Sequence, residues 1–186
     1  MRRTLAVVAL ALTACATTPP ASVPQPPLST ADSPFVLGGR ISAHRGDNAV
    51  AGSFSWQHDP AHDAIELSTP LGQTLAKLEG NATEASVQLS DGRSESAPTW
   101  HALTERAFGV TIPVDGLASW IRARPRPGAP FSVDRDAAGR VAELRQAGWD
   151  IVYAYADESA QAPFRVTLSY PGAEPIEVRI VVDRRG

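Results

Sequence analysis

His58 and His62 stand four residues apart with Asp59 and Asp63 beside them, a set of residue types that can hold a divalent metal. Two imidazoles spaced i, i+4 meet one ion only on one face of a helix. Pro60 lies between them and breaks any helix, so the spacing predicts a polar hairpin loop and no metal site. His44 and His101 have no serine or carboxylate partner evident in the sequence, and no GxSxG elbow occurs. No catalytic residue is expected, and the chain reads as a non-enzyme. It carries no GxxxxGK phosphate loop or other nucleotide fingerprint, so no cofactor is expected. Cys15 is the only cysteine, which excludes a disulfide, a CxxC metal site and a thiol nucleophile from the folded part. Asn81-Ala82-Thr83 is a sequon by its letters and reads as a turn.

Cys15 has a chemistry of its own. Met1-Arg2-Arg3 is followed by an apolar run from Leu5 to Leu12 and then by Thr13-Ala14-Cys15. The run is too short to span a bilayer, which takes about 20 apolar residues. It has the charge, length and small-residue cut site of an export signal. Leu12-Thr13-Ala14-Cys15 resembles a bacterial lipobox. The resemblance implies cleavage after residue 14, a diacylglyceryl group on Cys15 and an acylated amine, with Ala16 directing the product to the outer membrane. The expected divisions are 1–14, a cleaved leader; 15–34, a lipidated cysteine and tether with prolines at 19, 20, 24, 26, 27 and 34; and 35–186, one folded domain facing the periplasm.

The net charge of −3, without a basic stripe, argues against nucleic acid. Arg122, Arg124 and Arg126 are the nearest approach to a basic cluster, suited to lipid phosphate, an acidic partner or plain solvent. The elements of the domain are mostly strands. Apolar residues alternate at Val50-x-Gly52-x-Phe54-x-Trp56, Ile65-x-Leu67, Val87-x-Leu89, Ile151-x-Tyr153-x-Tyr155, Val166-x-Leu168-x-Tyr170 and Ile176-x-Val178-x-Ile180-x-Val182. Short turn signals separate them, among them Asp91-Gly92, which reads as a two-residue hairpin turn. Connections this short require antiparallel pairing.

Only the middle reads as helix. Trp100, Leu103 and Ala107 form one stripe within Pro98–Phe108; Leu117, Trp120 and Ile121 form another within Asp115–Arg122. The expected fold is therefore mainly β with short helices: a single curled antiparallel sheet, an unclosed β-barrel, with a helical lid over an apolar cavity. Phe54, Trp56, Leu67, Tyr153 and Tyr155 on the strands, with Trp100, Leu103, Leu117 and Trp120 on the helices, are the candidate cavity lining. Pro70-Leu71-Gly72 places a leucine at the tip of a turn, where a polar residue is usual. On a membrane-tethered chain, such a tip is a candidate membrane- or cargo-contacting loop.

The chain resembles the LolB family, outer-membrane receptors that take lipoproteins from the periplasmic carrier LolA. The resemblance rests on Phe35-Val36-Leu37-Gly38-Gly39-Arg40-Ile41, Phe54-Ser55-Trp56, Leu67-Ser68-Thr69-Pro70-Leu71-Gly72, Gly109-Val110-Thr111-Ile112-Pro113, Leu117-Ala118-Ser119-Trp120, Gln146-Ala147-Gly148-Trp149 and Tyr153-Ala154-Tyr155, in order and behind a lipobox. It implies a cavity for acyl chains and a role for Leu71 in placing lipoproteins in the membrane. The implied partners are a LolA-like carrier, lipoprotein acyl chains and outer-membrane phospholipid, with the chain acting as a monomer. Two features depart from the family pattern. Val181-Val182-Asp183-Arg184 lacks a tryptophan, and Arg122–Pro127 replaces a more apolar stretch. The rival reading is a structural lipoprotein subunit of an envelope assembly complex, with a filled core.

Overall fold

The structure, a computed structural model, describes residues 32–186. The leader, Cys15 and the tether up to residue 31 lie outside the described residues. Six strands come first: β1 (Phe35–Arg45), β2 (Asn48–Asp59), β3 (His62–Ser68), β4 (Thr74–Gly80), β5 (Ala85–Leu89) and β6 (Ser94–Ala97). Two helices follow, α1 (Trp100–Phe108) and α2 (Val114–Trp120). Five more strands complete the chain: β7 (Phe131–Arg135), β8 (Val141–Gln146), β9 (Trp149–Ala154), β10 (Arg165–Tyr170) and β11 (Ile176–Arg185).

All eleven strands form one antiparallel sheet, ordered β6-β5-β4-β3-β2-β1-β11-β10-β9-β8-β7. Each strand pairs with its sequence neighbour, except that β1 joins β11, from Leu37 opposite Arg185 to Arg45 opposite Ile176. This pairing places the two free edges, β6 and β7, on either side of the helical segment in the sequence. The sheet is thus an unclosed barrel, and residues 98–130 cross from one edge to the other, carrying the helices over the gap.

Alternation decides which residues fill the barrel. Along β11, Ile176, Val178, Ile180 and Val182 are buried while Glu177 and Arg179 are exposed. Each such side chain contributes about 1.5–3 kcal/mol when fully buried. Trp100, Leu103, Leu117 and Trp120 of the helices join the same core.

The two helices differ in how well they are finished. α1 starts at Trp100 rather than Pro98 because the Thr99 side chain accepts the Ala102 N–H at 3.2 Å. Gly109, at φ +70°, ends it in a left-handed cap. α2 has only seven residues, is preceded by Pro113 without a side-chain cap, and stops at Trp120, short of the expected Arg122. So short a helix depends on its packing.

Three hairpins share one geometry: Thr69–Gln73, Leu89–Arg93 and Asp136–Arg140. In each, the first residue's N–H donates to the fifth residue's carbonyl, and the N–H of a glycine in fourth place donates back to the first residue's carbonyl. Gly72, Gly92 and Gly139 lie at φ +83°, +88° and +81°. The Asp91-Gly92 turn is therefore a three-residue loop with a left-handed glycine, not the two-residue turn expected.

Gly39 is required by close approach. β1 bulges between Gly38 and Gly39, and a Cβ at position 39 would lie 2.0 Å from the Val181 carbonyl oxygen. Gly39→Ala should therefore force β1 from β11 and cost about 1–3 kcal/mol, read as a lower urea midpoint. An unchanged midpoint would mean the two strands do not approach this closely.

Candidate functional site

Inside the barrel, under the helices, is a cavity of about 40 Å³. The sheet supplies Ile41, Phe54, Trp56, Ile65, Leu67, Leu78 and Ile180 to its wall; the helical segment supplies Thr104, Phe108, Ile112, Val114 and Leu117. Thr104 and Trp56 carry the polar side-chain atoms among them, and both are engaged: the Thr104 hydroxyl with the Trp100 carbonyl at 3.0 Å and the Ile112 N–H at 2.9 Å, the Trp56 indole N–H with Asp63 at 2.7 Å. The lining is therefore chemically inert: it can exclude water and hold hydrocarbon. That space is small beside an acyl chain, which needs more room than this conformation leaves.

Phe54, Trp56, Leu67 and Leu117 lie on the cavity wall. Trp100, Leu103 and Trp120 are buried in the surrounding core. Trp120 Nε1 donates to Gln146 Oε1 at 2.8 Å, tying α2 to β8. Tyr153 is buried on β9. Tyr155 lies past the end of that strand; its hydroxyl donates to the Val141 carbonyl at 2.8 Å, and Arg140 stacks over its ring. On the far side of α2, Trp120, Trp149 and Tyr170 help line an outer cleft of about 290 Å³. α2 and the two residues before it form the wall between interior and cleft, since Ile112, Val114 and Leu117 face one and Pro113, Asp115 and Gly116 face the other.

Polar groups fasten the lid. Arg45, at the end of β1, clasps Glu105 of α1 with two bonds, 2.6 and 2.8 Å, and Thr111 donates to the same carboxylate at 2.9 Å. Arg126 pairs with Asp115 of α2 at 2.7 Å. Arg122 reaches Asp32 and Ser33 at 2.8–3.0 Å, joining the end of α2 to the tether junction. Two of the three arginines singled out in the sequence are thus lid fasteners. Arg124 makes no ion pair among the described residues.

The Arg45 bonds, first, and the Thr111 bond hold the Glu105 carboxyl below its ordinary value of 4.5 against the opposing effect of burial. A depressed folded value stabilises the protein fully above about pH 4.5, and that share is lost as pH falls through the folded value. Asp136, held down first by Arg140, adds a share that is fully present above about pH 3.8 and lost below it. Stability should fall below pH 4.5, and Glu105→Gln should flatten part of that slope in urea melts at pH 7 and pH 3. An unaltered slope would remove Glu105 from the account.

The His58–Asp63 segment differs from its sequence reading. His62 and Asp59 are exposed, as a hairpin loop requires, but His58 and Asp63 are buried. Asp63 Oδ1 accepts from Trp56 Nε1 and lies against His58 Nδ1, both at 2.7 Å; His58 Nε2 meets Asp32 at 2.9 Å. Phe35 stacks on His58, and Arg122 lies over Phe35. Strand parity carried the signal: His58 follows Trp56 by two and Asp63 precedes Ile65 by two, so all share the inner face.

Leu71 is the opposite of these buried groups. At 91% exposure it is far more open than the next large apolar side chain, Val152 at 51%. The Thr69–Gln73 bonds and left-handed Gly72 hold the tip in a rigid turn. In the two sister hairpins the same tip position holds Asp91 and Ala138.

Residues 33–184 match the family described as outer membrane lipoprotein LolB. The chain belongs to the LolB family. Outer-membrane lipoprotein LolB of Azoarcus sp. is 38% identical over 182 residues, covering 97% of this chain and 92% of that protein. LolB of Cupriavidus necator is also 38% identical, over 79% of this chain and 78% of its own length. A solved LolA-superfamily protein from Nitrosomonas europaea aligns over 83% of this chain and 86% of its own, with a TM-score of 0.46 and 8% identity. Membership in LolB makes this chain an outer-membrane lipoprotein of the lipoprotein-localisation system. No helix among the described residues is long and apolar enough to cross a membrane.

Proposed function

We propose that this protein accepts lipoproteins from a periplasmic LolA-type carrier and inserts them into the outer membrane, holding their acyl chains inside the barrel between the two steps. The observation that carries this reading is a wholly apolar cavity roofed by a helix that cannot stand alone, beside a fully exposed leucine. Exposing acyl chains to water costs about 0.8 kcal/mol per methylene, so transfer runs cavity to cavity and then to the bilayer, driven by differential affinity without nucleotide or catalytic chemistry. At about 40 Å³ the cavity is too small for an acyl chain. Loading therefore requires the helical wall to move, and the missing cap and short length of α2 suit it to that motion. A small interior space fits the structural-subunit reading as well, and transfer of lipoprotein to vesicles, which only the first reading predicts, separates the two.

The tether length fits the same scheme. β1 begins at the end of the barrel opposite the Leu71 hairpin, since Phe35 pairs with His58 beside the β2–β3 turn. An 11-residue strand spans about 36 Å. Residues 15–34, anchored at a lipidated Cys15, reach at most about 60 Å. The body can thus turn its Leu71 end to the membrane that holds its anchor, contacting phospholipid there as a monomer. The test is transfer of a labelled lipoprotein from carrier to vesicles bearing the full-length protein. Transfer above the protein-free rate is expected; no increase would contradict the proposal.

A further inference from the structure

Tyr153 brings a hydroxyl into the barrel and gives it nothing to bind. Its side chain is 7% exposed, and the hydroxyl oxygen is buried without a hydrogen-bond partner among the described residues. The contrast with Tyr155, two residues on and bonded to the Val141 carbonyl, is direct. A buried hydroxyl left unpaired costs stability that phenylalanine would not. Tyr153 also shares a row with the cavity wall: it pairs with Val166, Val166 with Ile180, and Ile180 with Ile41. Ile180 and Ile41 both line the cavity, and Ile180 is two strands, about 10 Å, from Tyr153. Burial pushes the phenol's ionisation far up, so the group is a neutral O–H donor at every working pH.

We infer that Tyr153 is a recognition residue for the carbonyl that joins an acyl chain to its headgroup, donating its hydroxyl to that ester when the barrel is loaded. The inference rests on the acyl-chain reading above and adds the polar feature that a purely apolar cavity lacks. A neutral ester suits the site; a free carboxylate would have to be buried without a cation. The hydroxyl gives the protein a preference for ester-linked lipid over hydrocarbon of equal length.

The test compares wild type with Tyr153→Phe, full-length in detergent, for a dipalmitoylglyceryl-cysteine peptide and its ether-linked dihexadecyl analogue, which keeps the chains and removes the carbonyls. A dipalmitoyl phospholipid and its ether analogue form a parallel pair. Wild type should prefer ester to ether by roughly three- to tenfold, the worth of one hydrogen bond. Tyr153→Phe should lose that preference, keep its ether affinity and melt no lower than wild type. The pair that shows the loss identifies the headgroup source. An ester preference unchanged by Tyr153→Phe in both pairs, or no preference in wild type, overturns the inference alone. Wild type that binds none of the four lipids overturns the acyl-chain reading and this inference with it.

Discussion

Leu71→Glu should leave the fold and the acceptance of lipoprotein intact and reduce delivery to membranes by a factor of ten or more. The side chain is 91% exposed and makes no contact that folding needs, so the melting temperature should stay within error of wild type. Sinking a leucine into hydrocarbon is worth about 1.5–3 kcal/mol, up to about a hundredfold in an equilibrium. A carboxylate at that point reverses the sign. Leu71→Phe should retain delivery and Leu71→Ala should fall between, because apolar area is the working quantity. The two steps separate by experiment: release of lipoprotein from the carrier reads acceptance, and flotation with vesicles reads delivery. Delivery undiminished in Leu71→Glu would show that the tip does not touch the membrane.

Trp120→Ala should be the most destabilising single change in the lid. The indole is 1% exposed, lies against Trp149 and over Gly116, and donates to Gln146. Large-to-small changes of this kind cost about 3–5 kcal/mol, here roughly 10 °C in Tm. Trp120→Phe should lose far less, because it keeps most of the apolar bulk. Gln146 Oε1 also retains its bond from the Arg126 N–H, and its Nε2 the bonds to the Arg126 and Ala129 carbonyls. A near-native melt for Trp120→Ala, with lipid binding lost, would instead make Trp120 a cargo contact.

The sheet was largely legible because its inner residues are large. Ile176 to Val182 alternate so plainly that face and extent follow from the letters. β4 hides because its inner face carries Ala76 and Gly80 around Leu78, leaving little hydrophobic contrast. β7 hides as an exposed edge, with Phe131 on the outside. The β1–β11 pairing joins residues more than 130 positions apart, from Leu37–Arg185 to Arg45–Ile176, and no local pattern encodes it. The site divides in the same way. Leu71 stands out because a leucine in a Pro-x-Gly turn breaks local turn chemistry. The indoles do not sort themselves: Trp56 lines the cavity and Trp120 packs behind it, yet both read as apolar-stripe residues. The Asp32–Arg122 and His58–Asp63 contacts escaped because one spans 90 positions and the other lies in a stretch whose Pro60 drew attention to the turn rather than to the strand faces beside it.

The most direct test of acyl-chain binding within the barrel is to load the protein, through its carrier, with a lipoprotein bearing a photoactivatable acyl chain, irradiate, and map the adducts by mass spectrometry. Adducts on Phe54, Trp56, Leu67 and Leu117 are the predicted result, since these side chains form the wall that the chain must meet once α2 moves aside. Adducts confined to the outer face of the sheet, with none on those four residues, would contradict it.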